Sequence, residues 1–228
     1  MGTKKQAEKS RKMWTKVIAI IAGVFFVVVM VLAGMGSTWL TSLASIKPGD
    51  VVVLDYTIKD PQGQVLITSN QQQYQTLTAA GDSVLYSKQL TVTANQSYPS
   101  AVYPVQIYTT QTGWGNNYAL FASEYNAISS GILGMKKNDQ KTITITGTPM
   151  TQFWSADQLM HNNLNITSVQ VGDIIPLGVS DNPAAAEPNS TASYYIRLGE
   201  ITQKSSDGVT FDFSHPAIQV TVVTINGN

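Results

Sequence analysis

The chain has no cysteine among its 228 residues, which removes disulfide frameworks and thiolate metal sites together. Histidine is nearly absent as well. His161 and His215 lie 54 positions apart and form no HxxH or HExxH pair, so no metal site is expected. Charged residues make up only 12% of the chain, with 14 basic and 14 acidic side chains in formal balance. No glycine-rich phosphate loop and no Gly-x-Ser-x-Gly elbow occurs, so neither a nucleotide cofactor nor a serine hydrolase is indicated. Asp55, Asp173 and Asp212 fall near the ends of strand-like stretches, where turn and surface roles account for them.

The overall balance hides a split. Lys4, Lys5, Lys9, Arg11, Lys12 and Lys16 crowd the first sixteen positions, opposed there by Glu8 alone. The rest of the chain carries eight basic and thirteen acidic residues. A mildly acidic body lacks the clustered Lys/Arg needed to displace counterions, which excludes nucleic acid as the expected partner. From Val17 to Met35 the sequence is almost wholly apolar (VIAIIAGVFFVVVMVLAGM), and a bilayer core is spanned by about 20 helical residues. A basic tail (1–16), a transmembrane helix (17–35) in the lipid bilayer and a polar linker (36–47) are therefore expected. The N-terminus would be cytoplasmic and the body exocytoplasmic. A cleaved signal peptide ending near Ser42-Leu43-Ala44 is the alternative, although its apolar core is usually only about 7–15 residues. Asn95, Asn165 and Asn189 begin Asn-x-Ser/Thr triplets, candidate glycosylation sites under that topology.

The body reads as mostly β. Val52, Leu54, Tyr56 and Ile58 alternate with Val53, Asp55, Thr57 and Lys59, the period of a strand with one buried face. Asp60-Pro61-Gln62-Gly63 carries a type I turn signature, and Gln64–Thr68 returns as a second strand. Residues 70–123 are polar and rich in tyrosine, and read as short β segments that insert into the domain. Ser123 is placed to cap a short helix whose apolar positions Tyr125, Ile128, Ile132 and Met135 recur at helical spacing. A strand over Lys141–Thr146 follows. Residues 153–213 form a small β-rich unit with a tight turn at Asp207-Gly208, and the last strand covers Ile218–Ile225.

Three passages in this order resemble FKBP-type peptidyl-prolyl isomerases. GDVVVLDYTIKDPQGQVLITS is similar to the family's opening hairpin. ISSGILGMKKNDQKTITI is similar to its helix-to-strand passage. VQVGDII, IRLGEI and DGVTFDFSHP resemble the chaperone-like insert of the SlyD branch. The resemblance implies an α+β fold, mostly antiparallel, with a sheet wrapped on one short helix. It also implies an FKBP-like domain over 48–152 (carrying the insertion 70–123) and 214–228, interrupted by the inserted domain 153–213.

By the same resemblance the activity is cis–trans isomerisation of X-Pro bonds in unfolded or partly folded exported proteins, with no cofactor. Tyr56, Ile67, Ile128 and Val220 then line the apolar proline pocket. Such a pocket lowers an amide rotation barrier of about 18–20 kcal/mol by desolvation and needs no nucleophile. Ile67 stands where the family has an aspartate, and Ile128 where it often has a tryptophan. Those departures frame the alternative, a catalytically inactive accessory subunit of a membrane complex. Ser214-His215-Pro216 reads as the crossover from insert to main domain, since proline biases His215 toward extended backbone.

Overall fold

The computed structural model describes residues 20–31, 33–34, 44–110, 112–147, 150–180 and 193–227. The chain divides into two compact units, Met1–Ala44 and Ser45–Asn228. In the first, residues 20–31 and 33–34 are helical. No helix among the described residues is long and apolar enough to cross a membrane. The expected single-pass anchor, and the cell-membrane location and sidedness inferred from it, are therefore not supported. The basic tail 1–16 and most of the linker lie outside the described residues.

Among the described residues the second unit contains twelve strands and three short helices. In chain order they are β1 (Val51–Lys59), β2 (Val65–Thr68), α1 (Gln71–Ala80), β3 (Leu85–Ser87), β4 (Leu90–Thr93), β5 (Val102–Thr109), β6 (Gly113–Phe121) and α2 (Ala122–Gly131). Then follow β7 (Gln140–Thr144), β8 (Thr151–Ser155), α3 (Ala156–His161), β9 (Ile174–Ser180), β10 (Tyr194–Lys204), β11 (Gly208–Asp212) and β12 (Ala217–Ile225). All strands belong to one sheet in the order β7-β12-β1-β2-β3-β5-β6-β10-β11-β8, with β4 also paired to β1 and β9 to β10.

Local chemistry explains the elements that position the site. In β1 the even-numbered residues Val52, Leu54, Tyr56 and Ile58 are buried, while Val53 and Asp55 are only partly covered, as strand alternation demands. The hairpin turn closes by Gly63 N–H donating to the Asp60 carbonyl at 3.0 Å. Gly63 sits at φ +88°, where a side chain would be strained. The β12 strand lies antiparallel to β1, with Tyr56 opposite Val220. In α2 the first turn is held by Glu124, whose Oε2 accepts the Phe121 N–H at 2.8 Å. Ser123 is not the cap. Tyr125 and Ile128 of α2 are buried as their spacing requires, and Ile132 at the C-cap and Met135 beyond the helix are buried with them.

Residues 70–123 depart from the expected run of β segments, because they open with the helix α1. Asn70 caps it, its side chain accepting from Gln73 N–H, and Gly81 ends it in the left-handed conformation at φ +91°, the usual helix stop. That helix changes the sheet. Antiparallel neighbours need only a hairpin, whereas parallel ones need a crossover of a dozen or more residues. The connection through α1 supplies one, and β3 pairs parallel to β2 with Ile67 opposite Leu85. A second parallel join links β10 to β6 at Ile196 and Tyr118. The sheet is thus large, curled and mixed, not the mostly antiparallel FKBP-like sheet wrapped on one helix.

Two cores lie within it. The larger gathers Leu54, Tyr56, Ile67, Ile107, Tyr118, Ile128 and Val220 among others. The smaller, formed by Leu159, Val169, Leu177, Ile201, Val209, Phe211 and Phe213, lies in the stretch expected to form the inserted β unit. That stretch continues the main sheet through β10 and β6.

Candidate functional site

The four residues expected to line a proline pocket converge from β1, β2, α2 and β12 into the larger core. Tyr56 faces Val220 across one strand pair, and Ile58 faces Ile67 across the other. Tyr56 is 1% exposed and Ile67, Ile128 and Val220 are 0% exposed. Val105, Ile107, Tyr118 and Leu120 of β5 and β6 pack into the same cluster, so part of the stretch 70–123 fills the interior. Burial pushes the Tyr56 phenol well above its ordinary pKa. Its hydroxyl and the neighbouring Ser87 Oγ are the buried side-chain oxygens, among the described residues, without a well-formed hydrogen bond. Phe153 and Trp154 stand on β8. Phe153 is exposed there, and Trp154 meets Phe211 of the smaller core edge-on at 5.2 Å.

A second constellation was not visible in the sequence. Arg197 of β10 is fully buried and forms a bidentate pair with Glu124 of α2, Nη1 to Oε2 at 2.8 Å and Nη2 to Oε1 at 2.7 Å. Its Nε donates to the Phe213 carbonyl at 2.9 Å, Nη1 also donates to the Ala119 carbonyl at 2.8 Å, and Nη2 reaches the Phe213 carbonyl as well. All five guanidinium N–H groups are therefore used. The Phe121 ring lies 4.1 Å from the guanidinium carbon and Tyr118 lies 5.4 Å away. Next to it the Tyr118 hydroxyl and His215 Nε2 are 2.5 Å apart. Burial, reinforced by the Arg197 charge, holds the His215 pKa well below its ordinary value. Burial likewise raises that of Tyr118. A neutral imidazole against a neutral phenol, both sealed from solvent, is a structural contact and offers a substrate nothing. His215 thus locks the crossover to β6, and Arg197 ties β6, α2 and β10 to the residue before it.

Open space lies on the opposite face of β1. A cleft of about 400 Å³ is floored by Asp55 and Thr57 of β1 with Gln219 and Thr221 of β12, and roofed by Gln72, Gln73 and Thr76 of α1. Gln73 pins the roof, its Oε1 accepting from the Thr57 hydroxyl at 2.8 Å and the Thr68 hydroxyl at 2.7 Å. A second hollow of about 450 Å³ shares Asp55, Asn70 and Gln72 and extends to Tyr86, Lys88, Gln89 and Trp114. Asp55 is fixed between the two hollows, with Oδ1 accepting from Ser69 Oγ at 3.1 Å and Gln89 Nε2 at 3.0 Å. Amides, hydroxyls and one carboxylate can bind a neutral hydrogen-bonding ligand. They form no nucleophile–base pair.

No group of three or more metal-ligating side chains occurs among the described residues. Asn95 and Asn165 are exposed, and the Asn165 side chain accepts from its own sequon threonine, Thr167, at both N and Oγ1. Asn189 lies outside the described residues. Comparison with models of known protein families and with curated proteins finds no match to this chain.

Proposed function

We propose that residues 45–228 act as a non-catalytic binding module for a neutral, polar ligand, taken up on the outer face of β1. The observation that carries this reading is the contrast in access. Of the residues expected to line an isomerase pocket, Ile67, Ile128 and Val220 are sealed in the core and Tyr56, which borders the first cleft, is only 1% exposed, while the open clefts carry fixed amides, hydroxyls and Asp55. Ligand sites generally are concavities of about 300–1,000 Å³ with a few placed polar groups, and both hollows fall in that range. A protease-coupled proline-isomerisation assay on the full chain tests the non-catalytic half of the reading. The expected result is the uncatalysed rate, about 10–100 s per isomerisation. A rate above it that disappears in Tyr56→Ala, with the fold retained, overturns the reading.

Prolyl isomerisation of partly folded polypeptides is the second reading, favoured by one observation besides the sequence resemblance. The Tyr56 hydroxyl is buried without a well-formed partner, and a substrate carbonyl admitted to the core would satisfy it. The same assay decides between the two.

A further inference from the structure

Beside the second hollow four aromatic rings run in contact across α1, β3, β6 and β5. Tyr74 stacks on Tyr86 at 4.8 Å, Tyr86 meets Trp114 at 5.2 Å, and Trp114 meets Tyr108 at 5.6 Å. Trp114 and Tyr108 are each 38% exposed, although buried aromatic rings would contribute far more to stability. Lys88 Nζ lies over the Trp114 ring, 5.6 Å from its centre, on a long side chain that can swing aside for a ligand. We propose that this platform and the hollow it borders form a binding subsite for a neutral glycan, with a pyranose ring on Trp114 and its hydroxyls on Asp55 and the neighbouring amides. This deepens, and rests on, the reading of the body as a binding module.

Three features select that ligand class. First, a sugar ring turns a face of weakly positive C–H groups toward the negative face of an aromatic ring, and Trp114, 38% exposed beside a polar hollow, supplies such a ring once the Lys88 side chain yields the face it covers. Second, the charged residues on the wall of the hollow, Asp55 and Lys88, are one of each sign, which favours neither an anion nor a cation. Third, the acceptors need donors. Asp55 is acceptor-only when ionised, and with Oδ1 held by Ser69 and Gln89, Oδ2 is left for a ligand O–H. A glycan brings hydroxyl donors in adjacent pairs. A proline-rich peptide, the other common occupant of aromatic strips, has no N–H at its prolines and would leave that carboxylate unpaired. A β-strand ligand is not favoured either, because β3 at the hollow is paired with β2 on one side and β5 on the other.

The experiment titrates the full chain by calorimetry with neutral hexasaccharides of glucose, N-acetylglucosamine and mannose, and with a proline-rich peptide as counter-probe. At least one hexasaccharide is expected to bind at micromolar to millimolar Kd. Trp114→Ala should weaken it roughly tenfold and Asp55→Asn roughly fivefold, with circular dichroism unchanged. Should Trp114→Ala fail to fold, Asp55→Asn and Tyr108→Ala make the same test. Absence of saccharide binding up to about 10 mM overturns the proposal. So does saccharide binding that these substitutions leave unchanged, or peptide binding that they abolish in its place. Isomerase activity alongside saccharide binding would overturn the non-catalytic reading and leave this subsite standing.

Discussion

The two faces of β1 are built from alternate residues of one nine-residue strand, and they serve opposite ends. The inward face, Val52, Leu54, Tyr56 and Ile58, is at most 1% exposed and is matched side by side by β12 and β2. The outward face offers Asp55 to both hollows, and Thr57, its hydroxyl held by Gln73, borders the first. Apolar surface removed from water contributes roughly 25 cal/mol per Å², so the inward residues are placed by stability. Asp55 contributes little to that, and its Oδ2 is left to recognise a ligand. An isomerase reading puts function on the inward face, and the space in this molecule is on the outward one.

The largest test of the comparison breaks the interior where it is polar. Glu124→Gln keeps the shape of the side chain and leaves Arg197 charged, 0% exposed and without its counter-charge. Removing one partner of a buried pair costs about 3–5 kcal/mol, which urea denaturation of the full chain would measure. The double substitution Arg197→Met, Glu124→Leu removes both charges and should recover most of that loss. A cost for Glu124→Gln below about 1 kcal/mol, the range of exposed pairs, would mean that water reaches this interior and that the faces do not differ as described.

Much of the inward face was legible in the sequence. The alternation of β1 and the Tyr125 and Ile128 positions of α2 obey periods that burial imposes, and the Asp60–Gly63 turn follows its own residue signature. The helix stops at Gly131, short of the expected Ile132 and Met135 positions, which are buried all the same. The outward face was not legible, for a physical reason. The helix α1 buries no residue, so it carries no apolar period, and its signals were a capping Asn70 and a terminal Gly81. Missing that helix hid the crossover, and with it the parallel pairing that makes the sheet mixed. Arg197 was hidden differently. It lies within an apolar strand, and its partner is 73 positions away, a pairing that no local pattern announces. The run Val17–Met35 misled in the opposite sense. Hydropathy alone reads as a span, whereas no helix among the described residues is long and apolar enough to cross a membrane.

A middle-sized effect comes from His215, the titratable group that closes the interior at the crossover. Its folded pKa is depressed by burial first and by Arg197 second. Above the unfolded value of about 6.5 both states are neutral, and the stability tied to the buried imidazole is complete. As pH falls below that value the unfolded chain gains a proton that the folded chain refuses. Stability then declines by up to about 1.4 kcal/mol per pH unit until the folded pKa is passed. Denaturation midpoints measured between about pH 7 and 5 should show this slope, and His215→Gln should flatten it. An unchanged slope in that variant would place the proton uptake elsewhere.

The smallest effect on overall stability belongs to the outward face, and it is the most informative about the cleft. Gln73 accepts from both Thr57 and Thr68 and thereby holds to the sheet a helix with no buried side chain. Its loss removes hydrogen bonds worth about 0.5–1.5 kcal/mol each in net terms. The hydroxyls it frees can still bond to one another, since Thr57 and Thr68 lie 3.1 Å apart. Gln73→Ala should therefore lower global stability by about 1 kcal/mol or less, while the α1 amides exchange with solvent well before those of β1 and β12. Such local opening is the behaviour of a segment with few buried contacts. If hydrogen exchange showed α1 and the two strands opening together, α1 would belong to the cooperative core. The cleft would then be a fixed groove in that core, and the division between a closed inner face and an adaptable outer one would fail at the helix that roofs it.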